Sequence, residues 1–265
     1  MTTKMRLDTL LAERGVFASR SRAAASVLAG EVLIGADRRR ALKPGQMVAD
    51  DVELDVDAAP AFVSRGGRKL ANALDAVGLD VSGRHALDVG ASTGGFTDCL
   101  LQRGAVHVVA LDVAYGELHW QVRTDERVTV MERRNARALT REQLPYAPDL
   151  FVADVSFISL TKVLPAVLAT LAERYDGLAM IKPQFEVGRE KVGKGVVHDP
   201  ADRRAALVAV AAAAQQLGAA VLGFVSSGLP GPKGNRETFV RLAEGGRAGA
   251  LDDLESAALE VEPHE

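Results

Sequence analysis

The chain has 265 residues, of which 48% are hydrophobic and 25% are charged, and its net charge is −3. These values describe an ordinary soluble protein that is longer than a typical single domain, so one large and one small domain are expected. The single cysteine, Cys99, excludes an intrachain disulfide and fits a reducing cytoplasm. The first residues contain no long apolar run and no small-residue cleavage pattern, so we expect a cytoplasmic protein without a secretory signal.

Charge is distributed unevenly along the chain. Residues 1–49 contain nine lysines or arginines and four acidic residues, whereas residues 248–265 contain six acidic residues and no lysine or arginine. A locally basic segment attracts polyanions such as nucleic acids. The N-terminal segment is therefore a candidate nucleic-acid-binding region, the alternative being a solvated basic face.

Leucine spacing predicts a short amphipathic helix over residues 7–15, and a second helix with a serine cap over residues 19–30. Short strands are predicted at residues 32–34 and 52–56, the second because it alternates apolar and polar side chains. Together these elements predict a small α+β domain over residues 1–57.

A short segment rich in small residues, 58–64, is the predicted linker to a larger domain over residues 65–265. In this larger domain, predicted strands alternate with helices, which indicates a doubly wound α/β sheet. The strands begin near Ala86, Val106, Val128, Leu150, Leu178 and Ala220. A further strand at residues 237–242 is close enough to the Ala220 strand to form an antiparallel hairpin, the arrangement of Rossmann-like methyltransferases.

Residues 86–96 are predicted to be a buried strand, a glycine-rich turn and the start of a helix, with Ser92 or Thr93 as its cap. Gly90, Gly94 and Gly95 allow a positive φ and a close approach of the backbone to a ligand. Their spacing matches neither the dinucleotide fingerprint nor the P-loop. The turn is thus predicted to bind a different cofactor, and a purely structural strand-to-helix turn is the alternative.

Polar residues follow successive predicted strands, at the edge where open α/β sheets bind ligands. An aspartate there can accept hydrogen bonds from ribose hydroxyls, and Asn135 can pair with the edge of an adenine. S-adenosylmethionine suits this set, and the predicted cofactor-binding residues are Asp88, Gly90, Ala91, Ser92, Thr93, Gly94, Gly95, Phe96, Asp112, Asn135 and Asp154.

Lys182 ends a predicted strand that is otherwise apolar. Because a lysine is rarely buried without a partner, we expect a carboxylate beside it, and Asp154 is the candidate. The alternative is a lysine that extends to water. The following segment, residues 184–199, is glycine-rich and basic and is predicted to be a mobile loop near the site.

The chain resembles the FtsJ-like ribose 2′-O-methyltransferases at four positions that match their Lys-Asp-Lys-Glu tetrad in order and in strand context. Carried over, the implied catalytic residues are Lys69, Asp154, Lys182 and Glu237. The sequence departs from the general pattern where Asp154 is followed by Val-Ser-Phe in place of Met-Ala-Pro, and where Lys182 is followed by Pro. Lys182 is implied to act on the attacking ribose oxygen, either as a base or as an orienting cation.

The N-terminal segment resembles S4-type RNA-binding domains at residues 6–11, 19–23 and 30–34. With this domain ahead of the catalytic one, the chain resembles the TlyA family over essentially its full length. That family is named both as haemolysins and as rRNA cytidine-2′-O-methyltransferases. The resemblance implies an S-adenosylmethionine-dependent enzyme that modifies cytidine in ribosomal RNA of the small subunit, the large subunit or both. The predicted RNA-binding residues are Arg6, Arg20, Arg22, Arg65 and Arg68, together with Arg189 and Lys191 of the basic segment 184–199, which could contact phosphates or be merely solvated.

Two other functions are alternatives: a membrane-active haemolysin, and an rRNA-binding protein without catalysis. The first depends on residues 205–232, which contain no charge, but a helix at 200–217 followed by a strand at 220–226 explains this stretch better than a membrane span. No metal is expected, because the five histidines show no ligand spacing and there is no second cysteine. Ribosomal RNA or ribosomal subunits are the expected partners, and no membrane is expected.

Overall fold

A computed structural model of the chain describes residues 3–17, 19–28, 31–56, 61–231 and 234–262. The chain divides into two compact units, Met1–Ala61 and Phe62–Glu265, so the division falls inside the predicted linker. Gly30, the predicted end of the second helix, and residues 57–60 lie outside the described ranges.

The N-terminal unit consists of two helices and short antiparallel strands. Helix α1 spans Leu7–Glu13 and α2 spans Arg20–Leu28, whereas the strands are β1 (Lys4–Arg6), β2 (Val32–Ile34), β3 (Arg39–Arg40), β4 (Met47–Ala49) and β5 (Leu54–Val56). β1 pairs with β4, and β2 lies between β3 and β5. The core contains apolar side chains of both helices and of β2, namely Leu7, Leu10, Leu11, Ala23, Val27 and Val32.

The C-terminal unit is built on one seven-stranded sheet in the order β11-β12-β10-β9-β6-β7-β8. Its strands are β6 (His85–Val89), β7 (His107–Leu111), β8 (Val128–Met131), β9 (Leu150–Ala153), β10 (Asp176–Ile181), β11 (Ala220–Ser226) and β12 (Thr238–Ala243). The five strands from β6 to β10 are parallel, and β12 runs antiparallel to both β10 and β11. This confirms the predicted α/β sheet with a closing antiparallel pair.

Helices cover both faces of this sheet because alternate strand residues face opposite sides. The helices are α3 (Arg65–Val77), α4 (Gly95–Gln102), α5 (Trp120–Arg123), α6 (Leu164–Leu168), α7 (Pro183–Glu186), α8 (Pro200–Gln216) and α9 (Leu254–Val261). On one face, Leu87 and Phe151 pack with α6 and α8, while on the other face Val108 packs with α3 and α4. The loops that follow the parallel strands therefore all lie at the carboxyl edge of the sheet.

The uncharged stretch 205–232 is divided as predicted. Helix α8 begins after Asp199, whose side chain accepts a 2.8 Å hydrogen bond from the backbone N–H of Ala201, and Pro200 occupies the first helical position. β11 then enters the sheet at Ala220. In the described part of the chain, no helix has both the length and the apolar character that crossing a membrane requires.

Candidate functional site

A cleft of about 430 Å³ lies at the carboxyl ends of β6 to β9. This volume is typical of a small-molecule site. Five of the predicted cofactor residues line it, namely Gly90, Ser92, Asp112, Asn135 and Asp154, beside an apolar wall that includes Leu111, Val113, Ile158 and Val163. The cleft therefore offers polar groups beside an apolar surface on which a flat aromatic ring can pack. We refer to it below as the cofactor cleft.

The glycine-rich turn between β6 and α4 forms the floor of this cleft. Gly90 has a φ of +87°, and a Cβ at this position would lie 2.5 Å from the backbone oxygen of Asp154. A side chain here would therefore meet the neighbouring backbone rather than only a ligand. The predicted cap was wrong, because the residue before α4 is Gly94, which has a φ of +91° and no capping side chain, and not Ser92 or Thr93.

Asp112 is held in one orientation by the backbone. Its Oδ2 accepts a 2.7 Å hydrogen bond from the N–H of Ser92, and its Oδ1 accepts a 2.8 Å bond from the N–H of Ala114. Asn135 caps a short turn, since its Oδ1 accepts a 3.0 Å bond from the N–H of Arg137. The amide nitrogen of Asn135 is left as the donor that a ligand can use.

Asp88 lies beneath the turn and is not among the residues that line the cofactor cleft. It is fully buried, and Thr97 Oγ1 donates a 2.6 Å hydrogen bond to its Oδ2. Its Oδ1 has no hydrogen-bond partner in the described residues. Burial raises the pKa of Asp88 to about 7. The structure thus places Asp88 as a support for the turn and not at the wall where the sequence had predicted it.

A second cleft, of about 370 Å³, adjoins the cofactor cleft and shares Gly90, Ser92 and Asp154 with it. Its remaining lining residues are Ser64, Arg65, Gly66, Lys69, Ala91, Thr93, Gly95 and Phe96. Gly95 has a further constraint, because a Cβ there would lie 2.9 Å from the backbone nitrogen of Gly67 at the crossing of α3 and α4. The second cleft and the cofactor cleft meet at Gly90 and Asp154, which line both of them.

The four tetrad positions form two ion pairs at this junction. Lys69 Nζ contacts Glu237 Oε2, and these side chains are only 8% and 1% exposed. Lys182 Nζ lies 2.5 Å from Asp154 Oδ1, which is the pairing expected from its apolar strand. Lys69 and Asp154 both line the second cleft, so the two pairs face the same space. One buried and one partly buried ammonium group, balanced by two carboxylates, can hold and polarise an oxygen nucleophile.

The lining residues of the cofactor cleft that the sequence analysis did not predict include Ser156, Phe157 and Glu117. Lys182 Nζ donates a 2.9 Å hydrogen bond to Ser156 Oγ. Phe157 is 91% exposed and has a φ of +64°, an uncommon backbone conformation for an aromatic residue. The signal in the sequence was the Val-Ser-Phe that follows Asp154 where the general pattern has Met-Ala-Pro.

The predicted RNA-binding residues of the C-terminal unit have different surroundings. Arg65, Arg68 and Arg189 are exposed, whereas Lys191 Nζ lies 2.7 Å from Asp202 Oδ1.

The basic segment 184–199, predicted to be a mobile loop, begins within α7. Asn235 is hydrogen-bonded to its later part. The Oδ1 of Asn235 accepts a 3.0 Å bond from the N–H of Val197, and its Nδ2 donates a 2.7 Å bond to the oxygen of Gly195. Asn235 is buried, so both ends of its amide are engaged inside the protein.

In the N-terminal unit, Arg6 and Arg20 share one carboxylate. Arg6 Nε and Nη2 donate hydrogen bonds of 3.0 and 2.7 Å to Asp8, and Arg20 Nε lies 3.3 Å from Asp8 Oδ2. The hydrogen bond from Arg6 is the main reason that the pKa of Asp8 falls to about 2. Arg22 is exposed on the same helix as Arg20. The two paired arginines keep about half of their side-chain surface exposed, so they remain accessible to a polyanion.

Comparison with known proteins assigns the chain to a family. Residues 62–244 match the FtsJ-like methyltransferase family. Over 261 residues the chain is 49% identical to the 16S/23S rRNA (cytidine-2′-O)-methyltransferase TlyA of Mycobacterium tuberculosis (strain CDC 1551 / Oshkosh), which covers 97% of both chains. A solved structure of a putative hemolysin from Streptococcus thermophilus is 36% identical, with a TM-score of 0.73, and covers 98% of this chain and 96% of that one.

The fold alone is also found in more distant structures. An S-adenosylmethionine-dependent methyltransferase from Mesorhizobium loti shares 15% identity, with a TM-score of 0.51, and covers 68% of this chain and all of that one. The methyltransferase fold, the family match and the near full-length identity agree with the resemblance seen in the sequence. The chain belongs to the FtsJ-like methyltransferase family and, within it, to the TlyA group.

Proposed function

We propose that this methyltransferase transfers the methyl group of S-adenosylmethionine to the ribose 2′-hydroxyl of a cytidine in ribosomal RNA. The observation that carries the proposal is the junction of the two clefts, where the Lys182–Asp154 and Lys69–Glu237 pairs face one space. The printed name of the 49% identical relative, an rRNA (cytidine-2′-O)-methyltransferase, supports the same acceptor.

The cofactor cleft fits the nucleoside part of S-adenosylmethionine. Asp112 is oriented by two backbone N–H groups and can accept hydrogen bonds from the ribose hydroxyls with its remaining lone pairs. Leu111, Val113 and Ile158 provide an apolar wall for the adenine, and Asn135 offers an amide donor at its edge. The bound cofactor supplies an electrophilic methyl group on a sulfonium.

The protein must position a poorly acidic hydroxyl and remove its proton or stabilise its developing charge. Lys182 Nζ is the group assigned to the attacking oxygen, because it contacts Asp154 and Ser156, which both line the cofactor cleft. Glu237 neutralises Lys69 and keeps this second buried cation beside the junction. Whether Lys182 acts as a base or as an orienting cation, its position is the same.

Ribosomal RNA is the proposed polyanion for the exposed basic residues. In the C-terminal unit, Arg65 and Arg68 project from the first turn of α3, whose start lines the second cleft. In the N-terminal unit, Arg6 and Arg20 are half exposed and both contact Asp8. The exposed Arg22 lies on α2 together with Arg20, so the three arginines are close to one another. Such residues bind phosphates without reading sequence, so they would position the RNA and leave the choice of nucleotide to the site.

The test combines substitution of Lys182 with a change in the RNA. Lys182→Ala is expected to abolish methyl transfer to ribosomal subunits from cells that lack the enzyme, while the cofactor affinity measured by calorimetry stays within about threefold, because Lys182 acts on the oxygen. Lys182→Arg is not expected to restore activity, since its longer planar cation differs in shape and keeps its proton. Lys162→Ala, at an exposed lysine, is the matched control.

An RNA with a single 2′-deoxy sugar at the modified position is expected to bind but to accept no methyl group. Methylation of this RNA would show that a base atom is the acceptor. Absence of cofactor binding with and without RNA would favour an RNA-binding protein without catalysis.

A further inference from the structure

Lys182 has two partners in the structure, and they act on it differently. Asp154 Oδ1 lies 2.5 Å from Nζ and forms an ion pair with it. Ser156 Oγ accepts a 2.9 Å hydrogen bond from the same nitrogen. An ammonium has three N–H donors and rotates about its last bond unless its partners hold it. Asp154 therefore balances the charge of Lys182, and the neutral hydroxyl of Ser156 takes a further N–H donor and restricts this rotation.

The loop that carries Ser156 is fastened to the segment that begins with Lys182. The ring of Phe157 packs against the ring of Phe185, with 5.3 Å between their centroids. Farther along, Glu186 Oε2 accepts a 2.6 Å hydrogen bond from Ser159 Oγ, and its Oε1 accepts a 2.9 Å bond from the N–H of Leu160. The two segments leave the parallel neighbours β9 and β10 at the same edge, and these contacts join residues 156–160 to residues 182–186.

The backbone next to Ser156 is strained. Phe157 has a φ of +64°, and bulky residues adopt this region only when the surrounding structure holds them there. The paired rings and the Glu186 hydrogen bonds provide that support. Ser156 and Phe157 are both exposed, and the strained backbone at Phe157 restricts the conformation of the loop that carries the serine hydroxyl.

We propose that Ser156 is a positioning residue that fixes the orientation of Lys182 Nζ, so that an ammonium N–H is left for the attacking oxygen. The inference rests on the proposed methyl transfer at Lys182. Ser156 also lines the cofactor cleft, so a direct contact with the cofactor is the competing role that the test must separate. A hydrogen bond to a charged group corresponds to about 10- to 100-fold in an equilibrium or rate constant.

The test uses the full chain, purified ribosomal subunits that lack the modification, and three variants. Ser156→Ala is expected to lower kcat about 10- to 100-fold, while the KM for subunits and the calorimetric Kd for S-adenosylmethionine change less than about threefold. Ser156→Thr keeps the hydroxyl and is expected to return kcat to within about fivefold of the unmodified protein. Ser82→Ala, at an exposed turn on the opposite edge of the sheet, is the matched control.

Three results would overturn the positioning role. These are an unchanged kcat in Ser156→Ala, a loss of cofactor affinity as large as the loss of kcat, or a threonine variant as inactive as the alanine variant at equal thermal stability. If the unmodified protein itself transfers no methyl group, the proposed function fails instead, so the two failures are distinguished by the wild-type assay.

Discussion

Replacement of Glu237 tests how much the Lys69–Glu237 ion pair contributes to the free energy of unfolding, in addition to its proposed role in methyl transfer. Both side chains are more than nine-tenths buried, and they connect α3 to the residue before β12 across 168 positions of sequence. Removing one partner leaves an uncompensated buried charge, which costs about 3–5 kcal/mol. Glu237→Leu is therefore expected to lower the free energy of unfolding by about that amount, and Glu237→Gln by less because an amide oxygen can still accept from Lys69.

A double variant separates the charge from the packing. Lys69→Met with Glu237→Leu removes both charges and keeps similar volumes, so it is expected to be more stable than Glu237→Leu alone, with a coupling of about 2 kcal/mol or more. Urea titrations at pH 7, read as midpoint and slope, measure each free energy of unfolding. Additive effects, or a loss below about 1 kcal/mol for Glu237→Leu, would refute the assignment of a buried, charge-balanced pair. All of these variants are expected to lack methyl transfer.

Three further predictions concern charge and backbone. The pKa of Asp88 is about 7 in the folded protein and 3.8 ordinarily, so its contribution to the free energy of unfolding is present below about pH 4 and is lost as pH rises towards 7. Asp88→Asn should not show this loss of stability with rising pH, and parallel pH profiles of the variant and the unmodified protein in unfolding titrations would contradict the prediction. Gly90→Ala should destabilise the protein by about 1–3 kcal/mol, through its φ and the contact with the backbone of Asp154, and an unchanged melting temperature would contradict this. Arg20→Glu with Arg22→Glu should weaken RNA binding and lower the slope of log affinity against log salt by up to about 2, and an unchanged slope would indicate a merely solvated face.

Much of the fold is determined by local patterns in the sequence. The cap and proline that begin α8, the alternation of apolar and polar residues at 52–56 and the leucine spacing of α1 are each decided by neighbours within about four residues. The partner of Lys182 is distant in sequence, but it was expected because a lysine is rarely buried without a carboxylate and Asp154 follows the adjacent parallel strand. Membership of Lys69 and Glu237 in the site, in contrast, came from the family resemblance and not from spacing.

Tertiary structure alone decided which polar residues face the site. Asp88 lies near the end of β6 and Asp112 directly follows β7, but the first is buried against Thr97 of α4 and only the second lines the cofactor cleft. Likewise, the hydrogen bond from Lys182 to Ser156 depends on the register of β9 beside β10 and on the loop conformation at Phe157. These contacts join segments far apart in the chain, and their geometry is set by strand order and side-chain packing, which no local pattern specifies.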